Sequence, residues 1–284
     1  MADSVFQNSG SVNTVIGAYN MLNAFIPLDY YPNLESTLNA KYNRFPTQMP
    51  PQRPLLQYFG VGIHGYYNNG DNDHVKYNPD PRNMDIYAPI PIRMVPLDND
   101  LTSEERRLYR MRVVQTIGSQ KYACYYLKKI MWDPSYVQLI QKGADGNETT
   151  YNLNPGAYLT PTAVRGITGG RMTVSDSHII VRAVGMCVVT LKELSEAMSI
   201  LYSKDYCIVS EWGYYTGCDM FVTSEEELIP NEFDMTNPPA NAANIEAVYV
   251  QLSKHRCGYP KTLDSSESEL TDRCSFESPE AVEV

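Results

Sequence analysis

The sequence predicts an α+β fold: a mainly antiparallel β core with two or three helices and long extended, proline-rich segments. Between residues 121 and 190, short runs of β-branched and aromatic residues alternate with turn-forming residues. Two threonines each precede a glutamate by three residues, a spacing typical of helix N-termini. Eleven of the 19 prolines fall between residues 27 and 100, where they disfavour long regular elements.

The N-terminal region, 1–114, is predicted to be a helix followed by the extended proline-rich segment. Apolar residues recur at spacings of three and four between Val12 and Ile26, which predicts an amphipathic helix. Within the proline-rich segment, the apolar stretch 55–63 is expected to form a buried strand, and the Asn/Asp/Gly cluster at 68–73 a turn.

A second helix is predicted over 103–114, at the end of this region. Thr102 and Glu105 have the spacing of a capping box. Acidic residues open the segment and basic residues follow, which matches the polarity of a helix dipole.

Residues 115–263 are predicted to form a β-rich core with one helix. The expected strands are 121–132, 137–141, 149–153, 171–190, 206–210 and 245–252. Thr190 and Glu193 form a second capping box, and the apolar residues after them share one face, so a helix is expected over 191–202.

The C-terminal segment, 264–284, is predicted to be an acidic arm. It contains seven acidic residues against a single arginine, together with many serines. Such a composition is typical of a solvated tail, and the alternative is an arm that becomes ordered against a neighbouring subunit. Cys274 and Phe276 are the residues expected to anchor it.

The composition favours interaction with proteins over nucleic acids or membranes. A net charge of −10 repels phosphate groups, although an acidic wall would let DNA pass without binding it. The longest nearly apolar stretch, 181–191, is too short to span a bilayer. The N-terminus resembles no secretory signal, so we expect synthesis in a cytoplasm. The 22 tyrosines suit half-buried surfaces and protein interfaces.

The six cysteines are expected to be free and mostly buried thiols. No Cys-x-x-Cys pair is present, and no secretory signal indicates an oxidising compartment. Of the four histidines, only His255 lies close in sequence to a cysteine, Cys257, and no second such pair completes a zinc site. We therefore expect neither a metal nor a cofactor.

No catalytic motif stands out, and the sequence predicts a protein that is not an enzyme. Gly60, Gly62 and Gly65 have the spacing of a dinucleotide-binding loop, but a turn follows them where such a site needs a helix. Close packing between strands explains these glycines better. Asp71 and Asp73 lie in a turn cluster that is typical of a solvated loop rather than of a glycosidase carboxylate pair.

The ten residues from Ile208 resemble a motif of tailed-bacteriophage virion proteins. In that motif an aliphatic residue and Ser or Asn precede a glutamate, an aliphatic residue, a glycine, a leucine and an aromatic residue, and a small turn follows. Here Glu211 and Gly213 match, and Tyr215 takes the aromatic position. We expect Glu211 to accept hydrogen bonds from backbone donors at a bend, and Gly213 to adopt a backbone angle that other residues avoid.

The resemblance implies a structural virion protein: a head-to-tail connector, neck, tail-adaptor or baseplate component that forms a ring. Its partners would be copies of itself and other virion proteins such as portal or tail proteins, around a channel that DNA passes. Trp212 and Tyr214 stand where the motif usually has aliphatic residues. The residues assigned to assembly and structure are Glu211, Trp212, Gly213, Tyr214, Tyr215, Cys274 and Phe276.

Two other functions stay open at this point. A receptor- or carbohydrate-binding module would use aromatic stacking platforms, for which the candidates are Tyr66, Tyr67, Trp212, Tyr214 and Tyr215. A hydrolase would require two cooperating carboxylates among the scattered acidic residues.

Overall fold

The structure is a computed structural model, and its description covers part of the chain. The described residues are 10–13, 54–68, 75–77, 79, 81–102, 104–132, 138–142, 147–152, 178–202, 207–222, 244–263, 269–277 and 282–283. The strands are β1 Gly10–Asn13, β2 Leu55–Gly62, β3 Tyr66–Asn68, β4 Val75–Tyr77, β5 Pro89–Ile90, β6 Arg93–Pro96, β7 Tyr109–Ile117, β8 Gln120–Lys129, β9 Met131–Trp132, β10 Gln138–Lys142, β11 Glu148–Asn152, β12 His178–Thr190, β13 Cys207–Val222, β14 Asn244–Leu263, β15 Glu269–Glu277 and β16 Val282–Glu283. The helical elements are α1 Leu191–Tyr202 and the short 3-10 helices Leu97–Asn99 and Glu105–Leu108.

The fold is mainly β, so the predicted α+β class with two or three helices is wrong. Within the described ranges, antiparallel sheets dominate and α1 is the one α-helix. The start of the predicted N-terminal helix, at residues 12 and 13, belongs instead to β1, which pairs with β14. The rest of that predicted helix lies outside the described residues. Among the described residues, no helix combines the length and apolar character needed to cross a membrane.

The helix predicted over 103–114 is replaced by one 3-10 turn and strand β7. The capping box does form, since the Thr102 backbone N–H and hydroxyl both donate to Glu105 Oε2, at 2.9 and 2.8 Å. An α-helix would continue by bonding the carbonyls of Arg106 and Arg107 to later backbone N–H groups. The Arg110 guanidinium donates to both carbonyls at 3.0 Å, the Arg106 carbonyl also accepts the Tyr109 N–H of the 3-10 turn, and the Met111 N–H donates to the Glu246 carboxylate. Helix growth therefore stops, and pairing with β8 takes over.

Helix α1 is the predicted element that the structure confirms over the same residues. Its capping box is complete: Thr190 donates through its backbone N–H (2.7 Å) and its hydroxyl (2.9 Å) to Glu193 Oε2, and the Glu193 N–H donates back to the hydroxyl. Leu194, Ala197 and Met198 are buried. The helix packs against β6 and β13 through this apolar face.

Replacing Thr190 with alanine is expected to lower the free energy of unfolding by about 1 kcal/mol, because the first turn of α1 loses its capping hydroxyl. Ser199→Ala is the matched control, since Ser199 is an exposed residue within the same helix and alanine favours helix. Urea unfolding monitored by circular dichroism measures both variants. Equal stability of Thr190→Ala and the wild type would show that the capping box contributes nothing.

The chain divides into two compact units. Unit 1 comprises residues 1–129 and 188–271, and unit 2 comprises 130–187 and 272–284. The predicted boundary near residue 115 lies inside β7, within unit 1. Of the three described sheets, an eight-stranded one has the order β1-β14-β13-β2-β8-β6, with β5 beside β2 and β7 beside β8. A six-stranded one has the order β11-β10-β12-β15, with β9 and β16 beside β12. Strands β3 and β4 form the third.

The core of unit 1 lies where the large sheet meets α1. Its buried residues include Tyr58, Met94, Met111, Leu127, Ala197, Tyr215 and Leu252. These side chains come from seven different elements spread along the sequence. The core therefore depends on long-range strand pairing rather than on local structure.

The predictions for segment 55–63 and for the C-terminal segment have different outcomes. The predicted strand 55–63 is confirmed as β2. The C-terminal segment differs from a solvated tail, because 269–277 forms β15 of the six-stranded sheet, with Leu270, Asp272 and Cys274 buried. The thiols of all six cysteines are free and all six residues are buried, as expected.

Candidate functional site

The centre of the phage-like motif lies on β13, which pairs with both β2 and β14. Glu211 lies directly opposite Cys257, and Gly213 lies opposite His255. Residues two apart on a strand share one face, so His255 and Cys257 both point to the side of the sheet that carries Glu211. The pairing of β13 with β14 thus brings Glu211 together with two side chains that lie more than 40 residues further along the chain.

These three residues form the Glu–His–Cys cluster (Glu211, His255 and Cys257), which has no exposed surface. Glu211 Oε1 lies 2.8 Å from His255 Nε2, and Cys257 Sγ lies 3.4 Å from the same nitrogen. The possible ligand atoms of the three side chains all lie within 4.8 Å of one another. Such a set of oxygen, nitrogen and sulfur atoms is chemically able to hold a metal ion.

A segment at 83–88 lies over the cluster and is fixed by it. Glu211 accepts hydrogen bonds from the backbone N–H groups of Tyr87 (2.6 Å) and Ala88 (3.2 Å). The Asn83 amide nitrogen lies 3.3 Å from His255 Nδ1, and the Tyr87 ring meets the imidazole edge-on at 5.3 Å. The buried carboxylate therefore compensates for its lost hydration by binding an otherwise irregular stretch of backbone.

Two glycines of the Gly-x-Gly-x-x-Gly stretch make room for this cluster. A Cβ atom on Gly62 would lie 2.5 Å from Glu211 Oε2, and one on Gly65 would lie 2.5 Å from Cys257 Sγ. Gly65 also has a φ of +85°, which favours glycine. The interpretation of these glycines as sites of close packing is confirmed, and their close neighbours are the cluster side chains.

The expectations for Glu211 and Gly213 have different outcomes. Glu211 does accept hydrogen bonds from backbone donors, but the donors belong to the 83–88 segment and β13 continues as a strand. The expected special backbone angle of Gly213 is wrong, because Gly213 is not among the described residues with positive φ. It is needed for space: a Cβ there would lie 2.7 Å from Ile86 Cγ2 and from Tyr215 Cε2.

The aromatic residues of the motif are buried in the fold. Trp212 packs on Phe59 with ring centroids 5.6 Å apart, and the Tyr215 hydroxyl donates to Asp85. Trp212, Tyr214 and Tyr215 are at most 1% exposed, so they offer no stacking surface to a glycan. The side chains of the other two proposed platforms, Tyr66 and Tyr67, lie outside the described part of the structure.

The two predicted anchor residues lie on β15 rather than on the strands of the cluster. Cys274 is buried there, as an anchor should be. The side chain of Phe276 lies outside the described part of the structure. The structure therefore joins five of the seven assigned residues in one strand and leaves these two in another sheet.

A second ionic group, which is partly buried, joins four strands of the large sheet: the Asp219 cluster (Asp219, Arg110, Lys129 and Tyr58). The Asp219 carboxylate accepts hydrogen bonds from Arg110 Nε and the Tyr58 hydroxyl, both at 2.7 Å, and from Lys129 Nζ at 2.5 Å. Burial alone raises the pKa of Asp219, but the hydrogen bonds and charge of Arg110 outweigh it, with help from Lys129, and lower that pKa from 3.8 to about 2.

The depressed pKa of Asp219 predicts a loss of stability in acid. The pKa of Asp219 is lower in the folded protein than in the unfolded chain, so ionised Asp219 stabilises the fold by about 2 kcal/mol. This contribution is fully present above about pH 4 and is lost as the pH falls through about pH 2. The measurement is urea unfolding of the wild type and Asp219→Asn between pH 2.5 and 6. The stability difference between them should shrink towards low pH, and a constant difference would contradict the assignment.

Sequence reasoning missed the partners that give the motif its role. His255 and Cys257 are noted in the sequence as a pair, but no second pair is present, and the third member, Glu211, lies on another strand. Asn83 and Tyr87 carry no sequence signal of their own. The available signal was the His-x-Cys alternation just after the predicted strand 245–252; continuing that strand by five residues, as β14 does, places both side chains on one face.

Comparison with known proteins identifies a family without a described activity. A family model described as "Family of unknown function (DUF7208)" matches residues 1–254. The match spans β1 to β13 and the first half of β14, and of the three cluster residues it includes Glu211 but neither His255 nor Cys257. Neither the comparison with curated proteins nor the comparison with solved structures gives a match.

Proposed function

We propose that this chain, which belongs to the family of unknown function DUF7208, is a non-enzymatic structural component of a tailed-phage virion. It acts by assembling with other protein chains, most specifically as a ring-forming head-to-tail connector, neck or tail protein. Its partners are further copies of itself and other virion proteins such as portal or tail proteins. It is made in the host cytoplasm and resides in the virion.

The observation that carries this proposal is the set of hydrogen bonds made by Glu211, the central residue of the phage-like motif. Both oxygens of its buried carboxylate accept backbone N–H groups of the 83–88 segment, and one also faces His255. A carboxylate that acts as an acid, base or nucleophile must instead come within reach of a substrate atom. The motif therefore serves the architecture, which favours a structural protein over a carboxylate-dependent hydrolase.

The edges of the large sheet support an assembly role. Among the described strands, β7 pairs only with β8, and β1 only with β14. An outer strand is a template on which a strand of another chain can be added. Val114, on β7, is 43% exposed and supplies an apolar contact beside that edge.

The net negative charge of the chain supports a position in the wall of a DNA channel. A net charge of −10 gives a surface that repels the phosphate backbone. A ring with such a wall guides DNA without holding it, because no counterions are released on contact.

The test is the mass of the purified full chain by native mass spectrometry over a range of concentrations, with negative-stain images of the same sample. The expected result is a closed oligomer with one dominant copy number, seen as rings. A monomer at every concentration would contradict ring assembly. Binding of that monomer on a glycan array would favour the carbohydrate-binding alternative.

A matched pair of variants locates the contact. Val114→Lys places a charge beside the β7 edge and is expected to raise the dissociation constant of the oligomer at least tenfold, as the loss of about 1.4 kcal/mol of contact energy would do. Ser199→Lys adds the same charge at an exposed position of α1 and should assemble normally. An unchanged oligomer in Val114→Lys would exclude this edge as the contact.

A further inference from the structure

The Glu–His–Cys cluster has a geometry that differs from a catalytic relay. In a nucleophile–histidine–acid arrangement, the acid binds one ring nitrogen and the nucleophile binds the other. Here both Glu211 Oε1 and Cys257 Sγ approach the same nitrogen of His255, Nε2, at 2.8 and 3.4 Å. The remaining ring nitrogen faces Asn83. Three potential ligand atoms thus converge on one point, which is the pattern of a metal site.

The distances are close to those around a tetrahedral zinc ion. With Zn–N and Zn–S lengths of about 2.0 and 2.3 Å, neighbouring nitrogen and sulfur ligands are separated by about 3.5 Å. The Cys257 Sγ to His255 Nε2 distance of 3.4 Å matches this value. A carboxylate oxygen would stand about 3.3 Å from the nitrogen, so Glu211 Oε1 must turn outward by about half an ångström from its 2.8 Å position.

The charges of the cluster also suit a divalent cation. An ionised Glu211, a Cys257 thiolate and a neutral His255 together carry two negative charges, which one Zn²⁺ neutralises. All three residues are fully buried, where uncompensated charge is costly. Imidazole nitrogen, thiolate sulfur and carboxylate oxygen are the three ligand types that zinc uses in proteins.

The surroundings hold the ligands in place, as supporting residues do around metal sites. The backbone N–H groups of Tyr87 and Ala88 fix the Glu211 carboxylate. The Asn83 amide lies next to His255 Nδ1 and, turned with its oxygen inward, accepts the Nδ1–H that remains when Nε2 binds a metal. Gly62 and Gly65 leave the space in which the ligand atoms sit.

We propose that Glu211, His255 and Cys257 form a structural zinc site that joins β13, β14 and the 83–88 segment. Three protein ligands leave one tetrahedral position, which a water molecule or a backbone carbonyl fills. The proposed site departs from the expectation, drawn from the sequence alone, that no metal binds. It is separate from the proposed assembly, because zinc content is measurable whether the protein is a monomer or a ring.

The test begins with the wild-type full chain, expressed in zinc-supplemented medium and dialysed without chelator. Inductively coupled plasma mass spectrometry is expected to find about one zinc ion per chain, and removal of zinc by a chelator should lower the midpoint of thermal unfolding. In cobalt-supplemented medium, the chain should show the near-ultraviolet charge-transfer band of a thiolate bound to Co²⁺. These measurements do not depend on whether any variant folds.

Variants then assign the ligands. Cys257→Ser should abolish the cobalt charge-transfer band and reduce zinc content at least tenfold, and His255→Ala should reduce zinc content similarly. Cys124→Ser is the control, since Cys124 is another buried thiol of the same sheet outside the cluster, and it should keep both signals. Wild-type protein that carries no zinc and is not stabilised by added Zn²⁺, or zinc that persists in Cys257→Ser, would overturn the proposal.

Discussion

Replacement of Glu211 by alanine is expected to lower the free energy of unfolding by about 3–5 kcal/mol. Its carboxylate is fully buried and lies 2.8 Å from His255 Nε2. It also accepts the backbone N–H groups of Tyr87 and Ala88. The variant leaves the buried His255 and the part-buried N–H groups of Tyr87 and Ala88 without their acceptor. A fully buried group without a partner costs about 1–3 kcal/mol. Urea unfolding monitored by tryptophan fluorescence measures the loss, because Trp212 lies next in the chain.

A matched control separates this effect from the loss of one negative charge. Glu104→Ala removes an exposed carboxylate near the 3-10 turn and should change stability by less than about 0.5 kcal/mol. Glu211→Gln keeps the shape and one acceptor oxygen, so it should fall between the alanine variant and the wild type. A Glu211→Ala protein as stable as Glu104→Ala would contradict the structural role given to the motif.

Replacement of Asp219 by alanine is the second large expected effect, with a loss of about 3 kcal/mol. Asp219 binds Arg110 through both carboxylate oxygens, at 2.7 and 3.1 Å, and the Arg110 side chain is only 1% exposed. Removal of the carboxylate leaves a buried guanidinium without its counter-ion, and the Tyr58 hydroxyl loses its acceptor. Chemical unfolding at pH 7 is the measurement.

Two comparisons test this assignment. Asp98→Ala removes an exposed aspartate and should be nearly neutral. In the double variant Arg110→Met with Asp219→Ala, the unpaired buried charge is gone, so part of the lost stability should return. The opposite outcome is a double variant that loses more unfolding free energy than the two single variants lose together. In that case the charge pair is not the source of the effect.

The contrast between two capping boxes shows how far local sequence predicts this fold. Both form in the structure, at Thr102 and at Thr190. An α-helix follows only the second, because the first is followed by Arg110, whose guanidinium takes the carbonyls that would continue a helix. The distant Glu246 removes a further donor. Sequence therefore predicted where helices can begin, and tertiary contacts decided which one continues.

The candidate site was predictable in part for a similar reason. The phage-like motif correctly drew attention to Glu211 and to its backbone acceptor role. Its partners on β14 and in the 83–88 segment depend on the pairing register of two long strands, including β-bulges between them. Neither register nor bulges can be read from residue types alone. The role of Gly213 was mistaken because the space it needs is set by Ile86, more than 100 residues away.

The pairing of β2 with β13 also determines the timing of folding. Gln57 and Gly217, which share a hydrogen bond across these strands, are 160 residues apart. At a synthesis rate of about 5–20 residues per second, β2 therefore waits on the ribosome for roughly 10–30 s before its neighbour exists. Its apolar residues lack their β13 neighbours during that time. Chaperone binding to the nascent N-terminal half, followed by slow closure of the sheet after release, is the expected course of biogenesis.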